Sequence, residues 1–220
     1  MIVTIDGPAG TGKSTVARTL ADRLGFEFLN TGAMYRTVAY ACLKKQLPLD
    51  DEQAVADETL RLKITFANNR VLLGDQDVTD AIRQQEVTQS ASIVAAHPAV
   101  RSRLVDLQRK IAHGINLVTE GRDQGTIVFP NADCKFFLTA SPEERARRRL
   151  RELEEKGEQV SLEELLEQQS LRDYRDETRA CSPLQPAPNA IIIDTTDMTI
   201  AHVTGRLEQI VAAASANSSR

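Results

Sequence analysis

Apolar positions first cluster at the start of the chain, where Ile2-Val3-Thr4-Ile5 form a short β-branched run. A strand buried on both faces reads this way. The period then changes: Val16, Leu20 and Leu24 recur at helical spacing, with Arg18, Asp22 and Arg23 on other faces and Gly25 as the stop. Phe26-Glu27-Phe28-Leu29 predicts a second strand. Asn30-Thr31-Gly32 reads as a turn, with a helix over residues 33–45 behind it. Pro48-Leu49-Asp50-Asp51 reads as a loop and helix cap. Residues 60–66, 70–73 and 76–78 are strand-like, and the hairpin signals Asn68-Asn69 and Gly74-Asp75 separate them. They predict a small antiparallel meander inserted in an α/β chain.

Residues 80–96 and 98–111 read as helices. Residues 115–119, 135–139 and 190–194 read as further strands. Ser141-Pro142-Glu143-Glu144 supplies an N-cap, a proline at the first helical position and a capping-box Glu. The helix it opens breaks at Lys156-Gly157-Glu158, and another starts near Leu162. A proline-rich loop fills residues 182–189. Val203, Leu207, Ile210 and Val211 mark an amphipathic helix over residues 199–213. Residues 215–220 are polar and predict a disordered tail.

At 220 residues and 41% hydrophobic content the chain suits one globular domain with insertions. No apolar run reaches membrane-spanning length. Met1 leads straight into the first strand, which leaves no room for a signal peptide. Cys42, Cys134 and Cys181 lie far apart, as in a protein of the reducing cytoplasm. His97, His113 and His202 lack partners at catalytic or metal spacing. A net charge of −4 argues against bulk nucleic-acid binding. The basic residues are biased in kind, 20 Arg against 7 Lys. Arginine offers a rigid bidentate fork suited to phosphate.

The chemistry starts at Gly7-Pro8-Ala9-Gly10-Thr11-Gly12-Lys13-Ser14, followed by Thr15. This G-x-x-x-x-G-K-S spacing lets the backbone curl its N–H groups round an anion at a helix N-terminus. In such a triphosphate loop Lys13 reaches the β- and γ-phosphates of ATP, and the Ser14 hydroxyl can sit on Mg2+. Glu120 and Asp6 stand at strand ends as further metal candidates. Tyr35 and Arg36 open the helix after the second strand, where an Arg can meet an anion beyond the strand's carboxyl end. Arg145, Arg148 and Arg149 share one helix face. Arg172, Arg175, Asp176 and Arg179 share another, at i, i+3, i+4 and i+7. Charged runs are usually solvated surface. Beside a triphosphate loop, two arginine-faced helices joined at Gly157 fit a phosphate-clamping lid.

Five stretches together resemble the bacterial cytidylate (CMP) kinases over nearly the whole chain. They are Ile5-Asp6-Gly7-Pro8, Thr31-Gly32-Ala33-Met34-Tyr35-Arg36, Ile82-Arg83-Gln84-Gln85-Glu86-Val87, Glu120-Gly121-Arg122-Asp123-Gln124-Gly125-Thr126, and the arginine-rich run from 145 to 179. The resemblance implies transfer of the γ-phosphoryl of ATP to CMP or dCMP with Mg2+, by a cytoplasmic monomer of pyrimidine metabolism. It implies a nucleoside-monophosphate-kinase fold in a single P-loop domain, residues 1–214. Its five-stranded parallel sheet has helices on both faces, a CMP-binding insertion at 33–105 carrying the meander, and a lid at 145–172. Carried over by motif, Thr31, Arg36, Arg122 and Arg179 surround the acceptor phosphate, with Tyr35 beside them in the CMP site. Ser92, Arg101 and Asp123 read cytosine, and Arg172 and Asp176 hold the ribose. Lys13, Arg145, Arg148 and Arg179 are the catalytic set. Thr31 stands where some relatives carry Ser, and Asn30 where some carry Asp. A P-loop kinase acting on UMP or on a shikimate-like hydroxyl accounts for loop and lid but not for the G-R-D-x-G-T stretch. A nucleotide-binding switch protein needs an N-K-x-D, and the chain has no Asn-Lys pair.

Overall fold

The computed structural model describes residues 1–67, 70–155 and 157–218. Two compact units emerge: residues 1–29 with 112–220, and residues 30–111.

In the first unit the strands β1 (Ile2–Asp6), β2 (Glu27–Asn30), β6 (Leu117–Gly121), β7 (Cys134–Thr139) and β8 (Ile191–Asp194) form a parallel sheet in the order β2-β6-β1-β7-β8. Strand alternation sorts its side chains. Val3 and Ile5 of β1, with Val118, Phe136, Leu138 and Ile193, pack against Val16, Leu20, Val203, Leu207 and Val211. Those partners lie on α1 (Lys13–Leu24) and α8 (Ile200–Ser218). The other face of β1 and β6 carries Thr4, Asp6 and Thr119, which are buried and polar. They meet a single π-type turn at Gln124–Val128. Two more helices, α6 (Pro142–Glu154) and α7 (Leu162–Thr178), form a pair with its own small core of Ala146, Leu153 and Leu165. Ser141 caps α6, and Ser161 with Glu164 makes a full capping box on α7.

The second unit holds α2 (Thr31–Lys44), α3 (Glu52–Arg61), α4 (Gln85–Val94), α5 (Pro98–Ala112) and the meander of β3 (Ile64–Ala67), β4 (Arg70–Leu73) and β5 (Gln76–Asp77). The meander is antiparallel, as the pattern predicts. The hairpin signal Asn68-Asn69 lies outside the described residues.

Several boundaries differ from the sequence reading. Leu60 and Arg61 end a helix rather than start a strand, because Asp51 caps α3 through the Ala54 N–H and the turns continue to Arg61. Helix α2 begins at Thr31, since the Asn30 side chain accepts from Ala33 N and caps it. Residues 80–96 are not one helix: a 3-10 turn at Ala81–Arg83 precedes α4. The predicted disordered tail is helical through Ser218. Alanines of high helix propensity carry α8 on, and Ser215 Oγ donates to Val211 O at 3.0 Å. Ser219 and Arg220 lie outside the described residues, as does Lys156 of the predicted helix break. Gly157 beside it adopts φ +77°.

Candidate active site

Residues 7–12 join β1 to α1, and the loop is held from several sides. Gly7, at φ +142°, has no room for a side chain, because a Cβ there would sit 2.1 Å from the carbonyl oxygen of Leu138. Gly12 caps α1 in the left-handed region. Thr11 Oγ1 and Lys13 Nζ both donate to the Pro8 carbonyl. Arg145 Nη1 donates to Ala9 O at 3.1 Å, and Thr195 Oγ1 to Thr11 O at 3.2 Å. Lys13 is 5% exposed. Burial, then the nearby Arg122 guanidinium, lowers its ammonium to about 7, against the opposing pull of Glu120. Ser14 Oγ lies 3.0 Å from Glu120 Oε1 as its donor.

The register pairs Asp6 with Gly121, so Gly7 and Arg122 leave neighbouring strand ends side by side. Asp6, a metal candidate in the sequence reading, has a structural part as well. Its two oxygens accept from Gln124 N at 2.9 Å and Gly125 N at 2.8 Å, which pins the turn after Asp123 onto β1. Burial pushes its carboxyl up to about 7, against those two amides. A Cβ at Gly125 would sit tightly, 3.0 Å from Thr4 Oγ1 and 3.1 Å from Ala187 Cβ, so the turn packs closely on β1. Asp123 is buried beside this turn.

Arg122 Nε donates to Asp176 Oδ2 at 2.7 Å. Burial disfavours the Asp176 charge, but Arg122, Arg172 and Arg179 outweigh it and hold the carboxyl below its usual value. Arg145 is buried, and its Nη1 also reaches Asp173 Oδ2 at 2.6 Å. Arg148 turns another way, donating to Glu144, to Thr195 Oγ1 and to the carbonyls of Thr195 and Thr196. Arg149 pairs with Glu152 at the surface. Arg179 is the residue that closes α7: its N–H still bonds to Arg175 O, and its charge acts on Asp176. Leu184 N bonds back to Asp176 O, so the chain turns and Arg179 becomes an extended C-cap whose Nε donates to Ser182 O.

In the second unit Thr31 and Tyr35 are buried on α2, where the Arg36 guanidinium lies against Gly32. The Arg101 guanidinium stacks 5.5 Å from the Tyr35 ring centroid and donates to Ala95 O. Ser92 lies on α4, with its hydroxyl bonded to Gln89 O. Tyr35 and Arg101 are thus brought into contact within this unit.

The sequence profile described as cytidylate kinase matches residues 3–214. The chain belongs to the cytidylate kinase family. A cytidylate kinase of Desulfitobacterium hafniense is 49% identical over 93% of this chain and 90% of its own length. One of Rhodopirellula baltica is 47% identical over 90% of this chain and 87% of its own. Among solved structures, an uncharacterized protein from Eubacterium ventriosum superposes with a TM-score of 0.53 at 14% identity. That alignment covers 97% of this chain and 98% of the other, a likeness of fold.

Against this cytidylate kinase background, the sequence reading missed two residues of the first unit. Asp173 is visible only as the neighbour of Arg172, off the arginine face, yet it is the ion-pair partner of Arg145. Thr195 follows β8 with no local signal, and only the fold carries it to the loop.

Proposed function

We propose that this cytidylate kinase family member transfers the γ-phosphoryl group of ATP to CMP and dCMP, giving ADP with CDP or dCDP. The observation that carries the reading is the triphosphate loop leaving β1 beside the Arg122–Asp176 pair at the end of β6. Phosphoryl transfer asks mainly for positioning and for positive charge along the path of the moving group. Lys13 and Arg145 supply that charge at the loop, and Arg148 completes the lid side with Arg179. Residues 7–15 hold the ATP phosphates. The acceptor phosphate meets Thr31, Arg36, Arg122 and Arg179, with Tyr35 in the same CMP site. Cytosine is read by Ser92, Arg101 and Asp123, and the ribose by Arg172 and Asp176. The acceptor oxygen is already ionised, so no general base is needed.

Mg2+ is the cofactor of the reading, and when bound it neutralises charge on the phosphate oxygens. Ser14 Oγ with Glu120 fits it: a hydroxyl and one carboxylate suit an ion that keeps several waters and takes nucleotide oxygens. Among the described residues no group of three or more acidic, His or Cys side chains could hold a metal by itself. The protein works in this reading as a cytoplasmic monomer of pyrimidine nucleotide metabolism, one kinase domain over residues 1–214. Residues 33–105 bind the acceptor, and residues 145–172 are the lid. Its partners are ATP and CMP or dCMP, without nucleic acid or membrane. No helix among the described residues is long and apolar enough to cross a membrane.

The test is a coupled ADP-release assay against CMP, dCMP, UMP, AMP, GMP and shikimate. CMP and dCMP should be turned over far faster than the rest. Preferred turnover of UMP or shikimate would move the reading to a P-loop kinase with another acceptor.

A further inference from the structure

Every carbonyl that a side chain grips in the triphosphate loop fixes an N–H as well. A trans peptide holds its C=O and the following N–H antiparallel, so pulling the oxygen one way aims the hydrogen the other. Pro8 O is gripped from within the loop, by Thr11 and Lys13. Ala9 O is gripped by Arg145 of α6. Thr11 O is gripped by Thr195, which lies in the turn after β8 and is 184 residues away in sequence.

Thr195 is built into its place. It is 1% exposed. Its hydroxyl proton is shared between Thr139 O at 2.9 Å and Thr11 O at 3.2 Å, and its oxygen accepts from Arg148 Nη1 at 3.1 Å. Its own N–H donates to Thr139 O at 2.8 Å, and its carbonyl accepts from Arg148 Nη2 and from Met198 N. The hydroxyl is therefore held among three partners, at the end of β7, on the α6 arginine and in the loop.

We propose that Thr195 is a positioning residue for ATP: by holding the Thr11 carbonyl it aims the Gly12 N–H at the triphosphate. It touches no substrate atom and acts through the Thr11–Gly12 peptide. Arg148, through the same hydroxyl, links α6 to that peptide. The proposal rests on the reading of residues 7–15 as the ATP-phosphate site. It does not depend on which acceptor is used.

The experiment measures ATP binding by calorimetry without acceptor, then KM for ATP and for CMP, on wild type, Thr195→Val and Thr195→Ser. Thr195→Val keeps the shape and removes the hydroxyl; Thr195→Ser keeps the hydroxyl. Losing one hydrogen bond that aims a donor should weaken ATP binding about three- to tenfold in the valine variant, by the ordinary worth of such a bond. The KM for CMP should stay within about twofold, since one misaimed loop amide touches only the donor site. Thr195→Ser should restore ATP binding. Thr195→Ala carries the same expectation should valine not be accommodated. Unchanged ATP binding in the hydroxyl-free variants overturns the proposal, as does an equal loss for both substrates that serine fails to rescue. A wild type that binds ATP yet ignores CMP would overturn the proposed function instead and leave the Thr195 comparison readable.

Discussion

Lys13 donates to the Pro8 carbonyl, and burial, with Arg122 next, brings its pKa down to about 7. A triphosphate set against it adds negative charge and pushes that pKa back up. The sign follows from linkage: ATP prefers the protonated lysine, so binding takes up a proton between about pH 7 and the higher pKa of the complex. ATP affinity should therefore be full below pH 7 and fall above it, by at most about tenfold per pH unit for one proton. Calorimetry at pH 8 in buffers of different ionisation enthalpy reads the uptake directly, above the range in which a terminal phosphate titrates, at about 6. Lys13→Arg, which cannot lose its proton, should show no uptake, and a wild type without uptake would remove the assignment. Asp123 offers a second test at this scale. A carboxylate only accepts hydrogen bonds, so it attracts the cytosine amino group and repels the uracil oxygen at the same place. Asp123→Ala should lower kcat/KM for CMP on the order of a hundredfold and bring the CMP-to-UMP ratio toward one. An equal loss for both bases would make Asp123 a structural neighbour of Asp6 and its turn.

The α6–α7 pair is the element whose behaviour reaches furthest. Its small core of Ala146, Leu153 and Leu165 is separate from the cluster under β1, and Gly157 in the left-handed region joins the two helices. Its hold on the triphosphate loop and on the turn after β8 is polar: Arg145 to Ala9 O, and Arg148 to Thr195 and Thr196. Polar contacts of this kind exchange partners more readily than a packed apolar face re-forms. A kinase also gains from shutting water out only when both substrates are present. Amide hydrogen exchange over residues 145–172 should slow when CMP and a non-hydrolysable ATP analogue bind together, and much less with either alone. Equal protection in all four states would make the pair a fixed surface feature.

At the scale of the whole molecule, the strand ends that carry Gly7, Arg122 and Thr195 stay aligned only while the sheet keeps its register. Leu138 is fully buried in β7 under that alignment, and its carbonyl is the atom that excludes a side chain at Gly7. Leu138→Ala should cost about 2–5 kcal/mol and lower the melting temperature by roughly 5–15 °C in a chain of this size. A melting temperature within a degree of wild type would place the weight of the fold elsewhere. Gly7→Ala should lose ATP binding and stability together, because its Cβ would meet the backbone of β7.

The β-branched run at residues 2–5, the G-x-x-x-x-G-K-S stretch and the capping residues Ser141 and Asp51 are each decided by neighbours a few positions away, and the sequence alone determined them. So was the family, because the G-R-D-x-G-T and T-G-A-M-Y-R stretches are contiguous. The extent of α3 and of α8 was less legible, since an exposed leucine such as Leu60 and a run of alanines fit more than one local conformation. Only the tertiary structure decided that Asp6 pins a turn 118 residues away and that Arg179, at the extended C-cap of α7, donates its Nε to Ser182 O. It also decided that Arg145 and Asp173 meet across α6 and α7. Only there, too, does Thr195 reach Thr11. The physical reason is common to all four. A buried carboxylate, guanidinium or hydroxyl must find a partner where water is excluded, and that partner is chosen by strand register and helix packing, which no short stretch of sequence encodes.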